Sequence, residues 1–363
     1  MKRLLRLGIL AGMLLWGGGL LCWPQEAAAS AREGLSLCAN VIIPSLFPFF
    51  VLASLVVSLG LAQELGCVLG PIMGPVFGVS GPGGTALAVG LLAGYPVGAQ
   101  TVRELYEAGH CDRDEAETLL AFCNNCGPAF LLGAAGAGIF GSGQAGLLLL
   151  LCHWLGAISV GMLFRWRRGS TVHTRPHLPP PQPISFFSAF TGAVKSALLS
   201  TLNVCAYVVL FSVILTLLRL GGVLGLLAQG LTVLGLPTAE GIVTGFVELS
   251  NGVATLSSGG PLLARLTTAS FVLGFGGLSV QCQTLAVLAG SGLSVRREFW
   301  GKCLHGLFAA LWTGLLGVFP GAVTAFAPAP QPSPVALLWQ PVAALLFSCG
   351  VLAAMVRILW KKV

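Results

Sequence analysis

Charge is what this sequence has least of: Asp, Glu, Lys and Arg make up 9% of its 363 residues, against roughly 25% in an ordinary soluble domain. A chain so poor in charge cannot clothe a soluble globule, and with 55% hydrophobic residues it reads as a polytopic membrane protein. The motifs of common enzyme classes are also missing. There is no His-Glu-x-x-His, no Gly-x-Gly-Asp, and no Gly-rich phosphate loop followed by Lys and Ser/Thr. The polar loops are too short for a soluble catalytic domain, so no catalytic residues are assigned and the chain is read as a non-enzyme. No Asn-x-Ser/Thr acceptor occurs, which removes one sign of a glycosylated exterior. The net charge of +7 comes from short basic clusters between apolar runs, which argues for membrane topology signals and against a nucleic-acid partner.

Glycine and proline, by contrast, are plentiful, at 50 and 21 residues. Membrane helices tolerate both and pack closely on small residues. The chain is organised around Gly245-Phe-Val-Glu-Leu-Ser-Asn-Gly252, which sets Glu248 inside an apolar run. A charge at bilayer depth costs about 2.5 kcal/mol or more and normally faces protein or a wet cavity. Non-helical backbone at that depth survives only under the same conditions. The segment is therefore read as half of a substrate or ion site, with a structural Glu paired to a helix end or a hidden cation as the alternative.

Taken in order, residues 1–34 read as a signal anchor retained in the membrane and an external loop. A first repeat follows over 35–165: a span with Pro44 and Pro48, an interfacial piece, a re-entrant dip at Gly90-Leu-Leu-Ala-Gly-Tyr-Pro-Val-Gly98, a solvated surface pair over 103–117, and a span broken at Phe122-Cys-Asn-Asn-Cys-Gly-Pro128. A basic, Pro-rich cytoplasmic linker at 166–185 separates it from a second repeat at 186–327, and 328–363 reads as a last membrane helix. The halves echo each other: Asn40 with Asn203, Gly90–Gly98 with Gly245–Gly252, Phe122–Pro128 with Phe275–Gln281. If both dips are re-entrant, all of the 19 Lys and Arg except Arg32, Arg219 and Arg265 fall at cytoplasmic positions, Lys302 among them. This agrees with the positive-inside rule. The expected fold is all-α, a multi-pass cell-membrane protein with cytoplasmic termini and two inverted repeats holding re-entrant and broken helices, an arrangement found in secondary transporters.

Four stretches together, Ile43-Pro-Ser-Leu-Phe-Pro-Phe49, Ala93-Gly-Tyr-Pro-Val-Gly-Ala99 with Tyr106-Glu-Ala-Gly109, Phe122–Phe130 and Gly274–Gln283, resemble the YlbJ-type sporulation integral membrane proteins. That group carries the nucleoside-recognition Gate domain shared with concentrative nucleoside transporters and ferrous-iron transporters. The resemblance implies an endospore-forming bacterium and a role in spore cortex formation. It does not imply a particular substrate.

Candidate site residues come from the broken elements: Tyr95 and Pro96, then Glu248, Ser250 and Asn251, then Asn124 and Asn125, then Ser279, Gln281 and Gln283. Amides both donate and accept, which suits a polar uncharged ligand such as a nucleoside or a cortex-related sugar fragment. Half-helix N-termini after Pro96 and Pro128 are expected to offer N–H groups. A proton or Na+ is the coupling-ion candidate, at Glu248. His153 and His305 are read as packing groups first and proton relays second. No cofactor or metal site is assigned: Cys123-Asn-Asn-Cys126 has metal-pair spacing without a second pair nearby, so packing thiols are favoured over a metal path. Two further readings keep the same membrane body, a non-transporting scaffold for sporulation partners and a metal-ion permease. Small-residue faces such as Gly133–Gly138 permit contact within a subunit or in a homo-oligomer.

Overall fold

The computed structural model describes residues 2–168, 185–236 and 238–317. The expected linker at 166–185 lies outside them except at its ends, and the expected C-terminal helix at 328–363 lies outside them altogether. Every regular element among the described residues is helical.

Helix α1 (Lys2–Cys22) is followed by α2 (Pro24–Leu37), with Pro24 at the first position, where its missing N–H costs nothing. A π turn at Cys38–Ile42 passes α2 into α3 (Ile43–Ser58). Pro24–Ser58 is thus one 35-residue apolar rod. It begins well before the expected Leu35 because Gln-Glu-Ala-Ala-Ala-Ser-Ala-Arg-Glu is a strong helix-forming run. The widened turn lies where Pro44 would otherwise meet the Asn40 carbonyl.

Beyond it come α4 (Leu61–Ile72) with a π turn at Met73–Phe77, α5 (Gly83–Leu92), α6 (Val97–Glu107), α7 (Arg113–Cys123), a π-helical segment at Ala129–Ile139, and α8 (Gly143–Arg168). The second half holds α9 (Phe186–Leu220), α10 (Val223–Val233), α11 (Ala239–Val247), α12 (Leu249–Ala254), α13 (Leu262–Phe275), α14 (Gly277–Leu288) and α15 (Arg296–Gly317). Each half therefore runs long helix, short helix, paired short helices, broken helix, long helix. Among the described residues, four helices are long and apolar enough to cross a membrane: Pro24–Ser58, Gly143–Trp166, Phe186–Leu220 and Leu262–Leu288. The α2–α3 rod packs along α9, and α15 packs on α7, α8 and α13.

Interruptions fall where the backbone needs glycine or an extended residue. Gly94 turns α5 into α6 at φ 84°, Gly276 and Gly277 break α13 from α14 at φ 87° and 72°, and Glu248 sits extended between α11 and α12. L side chains other than Asn and Asp rarely adopt such positive φ values.

A helix pair covers 103–117 with Glu104, Glu107, Arg113 and Asp114 exposed, but it is not solvated throughout. Its first part is the outer end of α6, with Val102 and Leu105 buried, and its second part opens α7 with Glu115 buried and accepting from the Ser80 N–H. The remaining charges tie the two halves together. Arg103 Nη1 donates to the Val287 and Ala289 carbonyls at 2.7 and 3.3 Å, satisfying the C-terminal end of α14. Arg297 bonds Asp114 and Thr118, and the Ser294 N–H donates to Glu117 at 3.0 Å. Arg103→Ala is expected to lower stability by about 1 kcal/mol, a charge-assisted bond discounted for partial exposure. Glu107→Ala, which removes only the exposed i,i+4 partner at 2.7 Å, should cost less than about 0.5 kcal/mol. Thermal unfolding in detergent separates the two; equal losses would remove the capping role of Arg103.

Candidate functional site

The turn between α5 and α6 and the break between α11 and α12 meet at one cleft. Tyr95 from the first and Glu248, Leu249 and Ser250 from the second line it, with Leu46 and Phe50 of α3, Val204 and Val208 of α9, and Gln283 of α14. Each tip is seated on the interruption of the helix that follows it. A Cβ on Gly94 would stand 2.6 Å from the Gly127 nitrogen, and one on Gly277 would stand 2.9 Å from the Gly245 carbonyl oxygen. Only glycine permits this approach, and it brings loop backbone, rather than side chains, together at the centre of the helical body.

Tyr95, whose peptide bond to Pro96 is cis, reaches across the halves: its Oη donates to the Leu273 carbonyl at 2.9 Å. Glu248 is 2% exposed. Its Oε2 accepts from the Asn251 backbone N–H at 2.6 Å and from Asn251 Nδ2 at 2.9 Å, capping α12. Oε1 has one long bond, from Ser279 Oγ at 3.4 Å. Oε2 thus serves the fold, and Oε1 is the less engaged oxygen of a side chain that also lines the cleft. The helix-end role and the cleft-lining role coexist in the same side chain.

The remaining candidates divide. Asn251 also donates to Ser212 Oγ at 2.8 Å, fixing the second tip to α9. Asn125 Nδ2 donates to the Phe122 carbonyl at 2.9 Å, closing the end of its own helix, and Gln281 donates to the Phe275 carbonyl at 3.4 Å. Asn124 turns to Thr284 at 2.9 Å and Glu298 at 3.5 Å, behind the cleft. Tyr95, Glu248, Ser250 and Gln283 therefore share the cleft wall, Ser279 and Asn251 stand directly behind Glu248, and Pro96, Asn124, Asn125 and Gln281 are not on the wall. The amides at the half-helix starts are occupied: Val97 and Gly98 both donate to the Gly94 carbonyl, and Phe130 and Leu131 both donate to that of Gly127.

Among the described residues, no group of three or more His, Cys, Asp or Glu side chains is placed to hold a metal ion. Cys123 and Cys126 are both buried, and the Cys126 N–H donates to His153 Nε2 at 3.0 Å.

Beneath Tyr95 lies a polar cluster of which sequence reasoning singled out His153 and His305 but missed Glu298 and the burial of Lys302. Lys302 and Glu298, one helical turn apart on α15, are both 0% exposed. Lys302 Nζ bonds His305 Nδ1 at 3.2 Å and lies 5.0 Å over the Tyr95 ring, a cation–π distance. Lys302 is therefore an interior residue and not the cytoplasmic flank its neighbours suggested. The signal was available, since positions 298, 302 and 305 share one face of a helix, but Arg296 and Arg297 beside them make the stretch look interfacial.

The cleft has a volume of about 40 Å³, room for a few waters. A second hollow of about 140 Å³ adjoins it, sharing Phe50 and Ala93 and lined by Ser54, Ser58, Gln100, Glu104, Ser196 and Ser200.

Residues 39–143 match the Gate family, described as nucleoside recognition. The architecture is similar to that of CNTnw in an inward-facing substrate-bound state, with a TM-score of 0.58 at 14% identity over 85% of this chain and 84% of that one. A CNTnw variant in an outward-facing state matches with a TM-score of 0.53 at 16% identity, over 88% and 86% of the two chains. The sporulation integral membrane protein YlbJ of Bacillus subtilis (strain 168) is 32% identical over 318 residues, covering 81% of this chain and 78% of YlbJ. With paired tips seated on broken helices in an all-helical fold, and that identity over four-fifths of its length, the chain belongs to the YlbJ-type sporulation integral membrane proteins.

Proposed function

We propose that this protein is a secondary transporter, not an enzyme, that moves a small polar solute across a membrane of the sporulating cell in support of spore cortex formation. The observation that carries the reading is the meeting of Tyr95 and Glu248, each at the tip of a paired-helix element, in one largely apolar cleft that also holds Ser250 and Gln283. A structural cap alone does not require the second tip to be there.

The two hollows support a route. Hydroxyl, amide and carboxylate groups from α3, α6 and α9 line the outer hollow, and only Phe50 and Ala93 belong to both. The inner cleft is too small for a solute larger than a few waters. Loading therefore requires the tips to part from α3 and α9, the kind of motion by which one bundle rocks against another around a fixed site. We take the halves, with boundaries near 35–165 and 186–327, as inverted repeats, and the termini as cytoplasmic. Ser250, Gln283 and Oε1 of Glu248 would contact the solute, with Ser279 and Asn251 positioning Glu248.

Glu248→Gln tests the reading. The variant keeps the volume and the cap acceptor but loses the charge. Introduced into a sporulating strain lacking its own YlbJ-type protein, it should lower the yield of heat-resistant, cortex-containing spores about tenfold or more, the equivalent of one charge-assisted hydrogen bond. Normal spores at normal protein level would remove Glu248 from the mechanism.

A further inference from the structure

Behind the cleft lies a set of proton-exchanging groups that the solute site does not use. Glu298, Lys302 and His305 are 0% exposed and His153 is 1% exposed. Each imidazole has its tautomer set by a backbone partner. His153 Nε2 accepts from the Cys126 N–H, which places its proton on Nδ1, and Nδ1 has no partner. His305 Nε2 lies 2.8 Å from the His153 carbonyl, so it donates, and Nδ1 is left to accept from the Lys302 ammonium at 3.2 Å. The two rings lie 4.2 Å apart. His153 is therefore the neutral Nδ1–H tautomer, and Lys302 and His305 share one proton-bearing contact.

Glu298 is the incomplete member. Its Oε1 receives only the 3.5 Å contact from Asn124 Nδ2, and Oε2 has no partner, nor has Asn124 Oδ1. An unpartnered carboxylate oxygen in a fully buried position is costly, and a carboxyl that gains a proton becomes a donor and loses its charge together. The titratable groups facing this pair are His305 and Cys303 on α15, Cys123 and Cys126 at the end of α7, His153 on α8, and Tyr95 at the first tip. Arg297, the nearest charge in sequence, is engaged with Asp114.

We propose that Glu298 and Lys302 form an internal proton-binding site, and that, granted the transport reading above, the ion coupled to solute movement is a proton bound there rather than Na+. The accounting is simple. With Glu298 ionised the pair is neutral; when Glu298 Oε2 takes a proton from hydronium, the carboxyl O–H bond forms, the hydronium O–H bond breaks and leaves water, and the pair becomes +1. That charge sits 5.0 Å from the Tyr95 ring, and Tyr95 both lines the cleft and holds the second half through Leu273. Protonation therefore changes the electrostatics beneath one tip without a ligand in the cleft, and this links the proton to the position of the tip.

Infrared difference spectra of the full chain in lipid nanodiscs, stepped between about pH 5 and 9, read the proton directly. The expected result is a protonated-carboxyl carbonyl band that titrates in the wild type, is lost in Glu298→Gln, survives in Glu248→Gln, and has its midpoint moved by about one pH unit or more in Lys302→Met. Exchanging Na+ for choline should leave it unchanged. The site is overturned if the band persists in Glu298→Gln, if no band titrates, or if Na+ displaces it. Should either single variant misfold, Glu298→Gln combined with Lys302→Met removes both charges together and supplies the folded control, in which the band must be absent. Normal spores from Glu248→Gln would overturn transport while leaving the infrared result standing, and a missing band would do the reverse.

Discussion

A Gly90→Ala variant is expected to yield almost no folded protein, while the same change at Gly192 is harmless. The methyl added at Gly90 would lie 1.6 Å from the Cys123 carbonyl oxygen, and one added at Gly98 on the opposing arm would lie 2.3 Å from the same oxygen. The α5 and α6 arms thus clasp the last carbonyl of α7 from two sides. The obstacle is backbone at a helix end, which cannot rotate aside as a side chain would. Overpacking usually costs 1–3 kcal/mol because neighbours give way, and here none can, so the cost should be about 3 kcal/mol or more. Gly192, in α9, has nothing within 4 Å of its added Cβ, and Ala there should be neutral or gain up to about 1 kcal/mol of helix propensity. Size-exclusion profiles and thermal midpoints of the two variants in detergent decide the matter. Wild-type behaviour of Gly90→Ala would mean that the first tip is not seated on the α7 break.

That clasp was partly legible in the sequence. The run from Gly90 to Gly98 and the Asn-Asn-Cys-Gly-Pro that follows α7 each announce interrupted helix, because Gly, Pro and Asn weaken the hydrogen-bond ladder wherever they fall. Nothing in either run says that one rests on the other, since a contact between positions 90 and 123 depends on how α5, α6 and α7 pack. Glu248 was legible for a stronger reason: a lone carboxylate in an apolar run must have a protein-built partner, and it has one in Asn251. Asn124 and Asn125 show the limit. They are adjacent, chemically identical and equally buried, yet one bonds Thr284 and the other bonds Phe122 of its own helix. Which way each amide turns is set by the helix that crosses there. Glu115 shows it again: it stands in the most charged stretch of the chain, and it is buried because the Ser80 loop needs an acceptor.

Lys302→Met is expected to be the most damaging single charge removal in the chain, and the damage should be reversed by a second removal. Lys302 is enclosed, bonded to His305 and set over Tyr95; Met fills much the same space with no charge. The loss is therefore electrostatic. It leaves Glu298 with no balancing cation in an interior where its Oε2 already lacks a partner, and breaking a buried charge pair from one side costs about 3–5 kcal/mol. Taking the second charge away in Glu298→Gln with Lys302→Met removes the uncompensated ion, and such double neutralisations are commonly neutral or stabilising. Exposed Arg296, mutated to Met as a control, should change stability by less than about 0.5 kcal/mol. The ordering to look for in thermal unfolding is Arg296→Met close to wild type, the double variant near it, and Lys302→Met far below. If the double variant is no better than Lys302→Met alone, the two groups are not acting on each other, and the positive charge under Tyr95 must be balanced from elsewhere in the chain.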